Sequence, residues 1–152
     1  MRRQWKILVH ELTERAPMAL DWRSVRTIKV LRGHTDCVRS CAFAPDGSTL
    51  VTTSEDNTVR VWCTRDWSHL HTLTSHTRGV RSYVTSCAFA PDGSTLVTTS
   101  NDNTARVWCT RDWSHLQTLT GHTSFVMSCV FAPNVSTLVT TSIDLGECQL
   151  HP

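Results

Sequence analysis

Along most of the chain, apolar and polar residues alternate in short runs separated by turn-forming clusters. In Thr58–Cys63 (TVRVWC), Val59, Val61 and Cys63 fall on one face and Thr58, Arg60 and Trp62 on the other, the two-residue period of a strand. Ser48–Ser54 (STLVTTS) is rich in β-branched residues, which fit a pleated surface. CAFA at 41–44 closes an earlier strand and HLHTLT at 69–74 forms a later one. Each junction has turn chemistry. In Pro45-Asp46-Gly47, Pro presets φ, Asp bonds its own backbone and Gly accepts positive φ. Asp56-Asn57 and Arg65-Asp66-Trp67-Ser68 mark the next two turns. One segment follows another rhythm: Trp5, Leu8, Val9 and Leu12 recur at helical spacing, predicting a short helix over 4–15 that Pro17 ends.

The strand pattern repeats. Residues 41–77 and 87–123 differ at four of 37 positions: Glu55/Asn101, Val59/Ala105, His71/Gln117 and Ser75/Gly121. A third copy, CVFAPNVSTLVTTSID, starts at Cys129, with Val135 where the first copy has Gly47. The second copy carries four extra residues, VRS-CAF becoming VRS-YVTS-CAF. Four short antiparallel strands in about 42 residues form one propeller blade.

Gly33-His34, Asp56 and Trp62, followed by Ser75-His76, Asp102 and Trp108, resemble the WD40 repeat of β-propellers. The likeness spans residues 27–144 and implies an all-β fold: a partial WD40 propeller of antiparallel four-stranded blades. It is an open arc of two complete blades, about 35–74 and 77–120, plus part of a third at 123–144. Residues 1–26 are a basic leader and 145–152 a divergent tail without a counterpart of the blade Trp. Two positions depart from the pattern: Cys63 and Cys109 follow the Trp where the family has Asp, and Ser75 replaces the Gly before His76. The resemblance also implies a buried hydrogen-bonded tetrad in each blade. Carried over, the sets are His34, Thr52 or Ser54, Asp56 and Trp62, then His76, Thr98 or Ser100, Asp102 and Trp108. The third repeat keeps His122, Thr140, Ser142 and Asp144.

Composition narrows the function. The 152 residues carry a net charge of +2 and are only 18% charged, which excludes a strongly basic nucleic-acid binder. No apolar run approaches the roughly 20 residues of a spanning helix, so membrane insertion is not expected. Residues 1–32 hold eight Lys/Arg against three acids, so the leader is basic and the body mildly acidic. Seven Cys, an odd number lying largely in strand-like runs, and a start without a sustained apolar core predict a reducing compartment, cytoplasmic or nuclear. A zinc site from His34, Cys37 and Cys41 is outweighed by the reading of strand cysteines as small core residues. No metal or cofactor is expected.

The resulting expectation is a non-catalytic protein–protein interaction scaffold, a fragment or truncated form of a larger propeller protein. Its partners are other proteins, and self-association would cover the open blade edges. Asp36, Arg78, Arg81, Tyr83 and Phe125, grouped in the loops between blades, are the candidate partner-binding residues, since interfaces favour Tyr, Phe and Arg. Similarity of HTLTSHT and TSCAFAPDG to repeats of WD-repeat proteins with SAM and U-box domains raises an alternative, substrate recognition in a ubiquitin ligase assembly. A hydrolase using the Ser/His/Asp sets is disfavoured, because the set recurs once per blade and lacks a nucleophile elbow.

Overall fold

The computed structural model describes residues 6–11, 26–74, 76, 82–134, 137–143 and 148–151. These residues contain a strand pair, two four-stranded sheets and a three-stranded sheet, in chain order. The pair is β1 (Ile7–Glu11) and β2 (Arg26–Leu31). Blade 1 comprises β3 (Val38–Phe43), β4 (Thr49–Ser54), β5 (Val59–Cys63) and β6 (His69–Leu73). Blade 2 comprises β7 (Val84–Phe89), β8 (Thr95–Ser100), β9 (Ala105–Cys109) and β10 (His115–Leu119). The third sheet holds β11 (Val126–Phe131), β12 (Leu138–Ser142) and β13 (Cys148–His151). All pairings are antiparallel between chain neighbours, as in propeller blades. The chain is therefore an open arc of a propeller.

Local chemistry builds each blade. In the first turn the backbone N–H of Ser48 donates to Asp46 Oδ1 at 3.0 Å, and Gly47 takes φ 71°. In the second, Thr58 N–H donates to Asp56 Oδ1 at 3.0 Å while Asn57 adopts φ 67°. In the third, Ser68 N–H donates to Asp66 Oδ1 at 2.9 Å and Trp67 stands at φ 61°. An aspartate thus organises every hairpin of blade 1, and Asp92, Asp102 and Asp112 do the same in blade 2.

Packing between blades follows the strand alternation. Val51, Val59, Val61 and Leu73 of blade 1 meet Val84, Cys87, Leu96 and Trp108 of blade 2. Val97 and Ala105 of blade 2 meet Cys129 and Leu138 of the third sheet. Trp67 and Trp113 fasten each blade to its predecessor: Trp113 packs on the blade 1–blade 2 core with its ring 6.0 Å from that of His71, and Trp67 packs beside Ile7 and Val9.

Three expectations change. Residues 7–11 are a strand, not part of a helix over 4–15; Trp5 and Leu12 lie outside the described residues. A twelve-residue helix is marginal alone. As a strand, the segment pairs its backbone with β2 and packs Ile7 and Val9 on Leu50 and Trp62, leaving Leu8 exposed. Ile7 pairs with Leu31 as Val59 pairs with Leu73, so β1 and β2 are the third and fourth strands of a preceding blade. Second, Val84 pairs with Ser100 as Val38 pairs with Ser54, so the four extra residues precede β7 and leave its register untouched. A four-residue lengthening is cheap in a surface loop but would disrupt a paired strand. Third, the divergent tail returns to the sheet: β13 pairs with β12 in the third-strand position.

Candidate functional site

The tetrad residues converge in both complete blades. In blade 1, Trp62 Nε1–H donates to Thr52 Oγ1 at 3.0 Å, Thr52 Oγ1 lies 2.9 Å from His34 Nε2, and His34 Nδ1 lies 2.9 Å from Asp56 Oδ2. In blade 2 the same chain runs Trp108, Thr98, His76, Asp102 at 3.0, 3.0 and 3.1 Å. One proton arrangement satisfies every group. The indole donates to the threonine oxygen, the hydroxyl donates to a neutral Nε2, and Nδ1–H donates to the carboxylate. The choice between Thr and Ser resolves to Thr. Ser54 and Ser100 serve the turn instead, each accepting the aspartate N–H at 3.1 Å and donating to a loop carbonyl, of Asp36 and Tyr83 respectively.

Electrostatics follow from burial and bonding. Burial alone would raise the Asp102 carboxyl, but hydrogen bonds from His76 and Thr104 outweigh it and hold it at about 2. Asp56 is likewise driven well below the usual carboxylate range: burial opposes, and bonds from His34, Thr58 and the Thr35 N–H prevail. Burial pushes His76 below its ordinary value, against the pull of Asp102, so the neutral tautomer is the native one. Cys87 and Cys129 are raised by desolvation, Cys129 to about 12, which marks them as inert core thiols.

The third sheet rebuilds the chain with a different residue. His151 pairs with Leu138 as Trp62 pairs with Leu50 and Trp108 with Leu96, so it occupies the tryptophan position. Its Nε2 lies 3.2 Å from Thr140 Oγ1, which in turn lies 2.9 Å from His122 Nε2. Burial, and the charge of His122, lower the His151 pKa. Asp144 lies outside the described residues, and Ser142 is half-buried on β12. The tail offered no Trp, so only strand register identifies His151 as the substitute.

Of the candidate partner-binding residues, Asp36, Tyr83 and Phe125 fall at the interblade loops. Tyr83 and Phe125 meet edge to face with centroids 6.5 Å apart, and the Arg39 guanidinium lies 5.7 Å from the Tyr83 ring centre. Arg39 also pairs with Glu55. Blade 1, blade 2 and the third sheet thus each contribute to one surface cluster. Arg39 and Glu55 were not among the sequence candidates; their place at the start and end of paired strands was the available signal. Asp36 accepts the backbone N–H of Cys37, while Arg78 and Arg81 lie outside the described residues. Asp36, Cys37 and Glu55 approach one another, but Glu55 is committed to Arg39. His34 spends both ring nitrogens on Thr52 and Asp56, leaving none for Cys37 and Cys41.

With this geometry in view, the comparisons with known proteins agree. The sequence profile of the family described as WD domain, G-beta repeat matches residues 25–63, 67–109 and 113–145. The chain belongs to the WD40 repeat family. Among curated proteins it is 45% identical over 65 residues to F-box/WD repeat-containing protein 7 of Drosophila melanogaster, covering 41% of this chain and 5% of that protein. It is 38% identical over 77 residues to dynein assembly factor with WD repeat domains 1 of Xenopus laevis, covering 51% of this chain and 18% of that one. A solved structure of U3-55K superposes with a TM-score of 0.69 at 26% identity, covering 74% of this chain and 35% of that chain. The chain thus spans a small part of the length of these relatives. No helix among the described residues is long and apolar enough to cross a membrane.

Proposed function

We propose that this WD40 segment is a non-catalytic scaffold for protein–protein interaction in the cytoplasm or nucleus, part of a larger propeller assembly. One observation carries the reading: the cluster of Arg39, Tyr83 and Phe125, gathered from three consecutive sheets onto one surface. Aromatic and guanidinium groups are those that dominate binding energy at interfaces. The tetrads are architectural. Their hydroxyls, Thr52 and Thr98, are fully buried and already accept an indole N–H, so neither can reach a substrate as a nucleophile. Proximity labelling in cells tests the reading. Tyr83→Ala combined with Phe125→Ala is expected to remove specific neighbours labelled by the unmodified chain; an unchanged set of neighbours refutes it.

A second reading, substrate recognition within a ubiquitin ligase assembly, is favoured by relatives that are F-box/WD repeat proteins from Drosophila melanogaster and Caenorhabditis elegans. Under it, the neighbours lost on Tyr83→Ala would be ubiquitinated proteins that accumulate when the chain is depleted.

A further inference from the structure

We propose that Arg39 is the residue of the Arg39–Tyr83–Phe125 cluster that holds the partner, an uncharged stretch of another protein, and that blade 1 forgoes a buried hydrogen bond in order to present it. The proposal rests on the scaffold reading and adds to it the chemistry of the partner and a cost in stability.

The chain contains its own control. β3 reads VRSCAF and β7 reads VTSCAF, so the two strands differ only at Arg39 and Thr85. Their hairpin partners β4 and β8 both read TLVTTS, and the two hairpins pair in the same register, with the same irregularity around Arg39 and around Thr85. In blade 2, Thr85 Oγ1 lies 2.8 Å from Thr99 Oγ1 and donates to the Val126 carbonyl of the next sheet at 2.6 Å. The fully buried Thr99 hydroxyl is thereby satisfied. In blade 1 the equivalent hydroxyl, Thr53 Oγ1, is equally buried and has no partner. An unpaired buried hydroxyl costs free energy, so each one calls for a reason. Here the reason is a single residue. A threonine at position 39 would satisfy Thr53, and Val84, which opens β7 as Val126 opens β11, would offer the second acceptor.

Arg39 leaves the interior unsatisfied and turns outward. Its side chain is half exposed, its guanidinium lies over the Tyr83 ring, and its ion partner is Glu55. Exposed ion pairs contribute little to stability. What threonine would stabilise inside the fold, arginine thus offers to the outside. A position where a local rule is broken without compensation within the fold is the kind that serves function.

The surroundings define what Arg39 takes. One N–H of its guanidinium goes to Glu55, and no other hydrogen bond holds it among the described residues. A guanidinium only donates, so the partner must supply an acceptor. Glu55 already balances the charge of Arg39, and Asp36 places a second carboxylate oxygen within 4.8 Å of that of Glu55. An incoming carboxylate or phosphate would meet both acids, whereas a backbone carbonyl would not. Tyr83 and Phe125 stand beside Arg39, ready to pack an apolar side chain. The segment that fits lays a carbonyl on Arg39 and an apolar side chain on the aromatic pair.

A double-mutant cycle on the intact chain tests the cost, with no partner needed. Arg39→Thr should raise Tm by about 2–4 °C more in the parent than in Thr53→Val, where the hydroxyl it would satisfy is gone. Equal effects in the two backgrounds overturn the proposal. Proximity labelling in cells tests the role. Arg39→Thr should lose the neighbours that Tyr83→Ala with Phe125→Ala loses, although its fold is no weaker, while Thr53→Val should keep them. Neighbours lost with the aromatic pair but kept by Arg39→Thr overturn this proposal and leave the scaffold reading standing. Neighbours indifferent to the aromatic pair refute the scaffold reading, and this proposal falls with it. The lost neighbours should remain bound to the parent chain at about 0.5 M salt, which screens exposed charges; release there would mean an acidic partner and overturn the assignment of an uncharged one.

Discussion

Thr52 and Thr53 are consecutive residues on β4, both 0% exposed, and replacing each with valine should change stability in opposite directions. Thr52 Oγ1 is the hub of the blade 1 chain, accepting Trp62 Nε1–H at 3.0 Å and contacting His34 Nε2 at 2.9 Å. Valine keeps the shape but leaves two buried partners unpaired, at about 1–3 kcal/mol each, so Thr52→Val should cost about 2–6 kcal/mol. Thr53 points to the other face, where its hydroxyl has no hydrogen-bond partner. Its counterpart Thr99 bonds Thr85 at 2.8 Å, but the residue at Thr85's position in blade 1 is Arg39. Thr53→Val therefore removes a buried polar atom that nothing satisfies and should be neutral or stabilising by up to about 1 kcal/mol. For a chain of this size about 1 kcal/mol moves Tm by roughly 2–4 °C, so the two variants should melt about 5 °C or more apart. Urea titrations of both, read by tryptophan fluorescence and circular dichroism, measure the difference. Thr52→Val within 0.5 kcal/mol of the parent (roughly the noise of such titrations), or Thr53→Val as damaging as Thr52→Val, would refute the reasoning.

Acidification should destabilise the fold in two steps. The native His76 pKa lies below its ordinary 6.5, so its contribution is present above pH 6.5 and is lost as pH falls through the lowered value. Asp102 is held at about 2 against an ordinary 3.8, so its share persists above pH 3.8 and disappears as pH falls toward 2. Urea midpoints measured from pH 8 to 2.5 should decline accordingly, and a rise between pH 7 and 5 would contradict the neutral tautomer. Gly47 stands at φ 71° with open space around the missing Cβ. Gly47→Val should therefore cost about 1–2 kcal/mol from backbone strain alone, and Gly47→Asn much less, both readable as shifts in urea midpoint. The buried thiols of Cys87 and Cys129 should resist alkylation at pH 8 in the native protein and react in urea, as mass spectrometry of labelled peptides will show.

Local chemistry makes the blades legible in the sequence. Strand alternation at 58–63, aspartate-led turns at Asp46, Asp56 and Asp66, and a 37-residue near-duplication are local signals, and each corresponds to a local bond in the fold. The spacing from His34 to Asp56 matches that from His122 to Asp144, which placed the tetrads for the same reason. The leader misleads because Val9 fits a helical period with Trp5 and Leu12 and a strand period with Ile7 equally well over so short a stretch. What decides between them is β2, some twenty residues further along the chain.

Sequence alone determined the repeat, the four-stranded unit, its turns and the identity of most tetrad members, because these depend on neighbours in the chain. Tertiary structure alone decided that Ile7–Glu11 is a strand, that Thr rather than Ser carries the tetrad, and that His151 takes the place of a tryptophan. It also decided which apolar faces are covered and which stand open. These outcomes turn on which strand lies beside which, and on the cost of leaving a buried polar group or an apolar face without a partner.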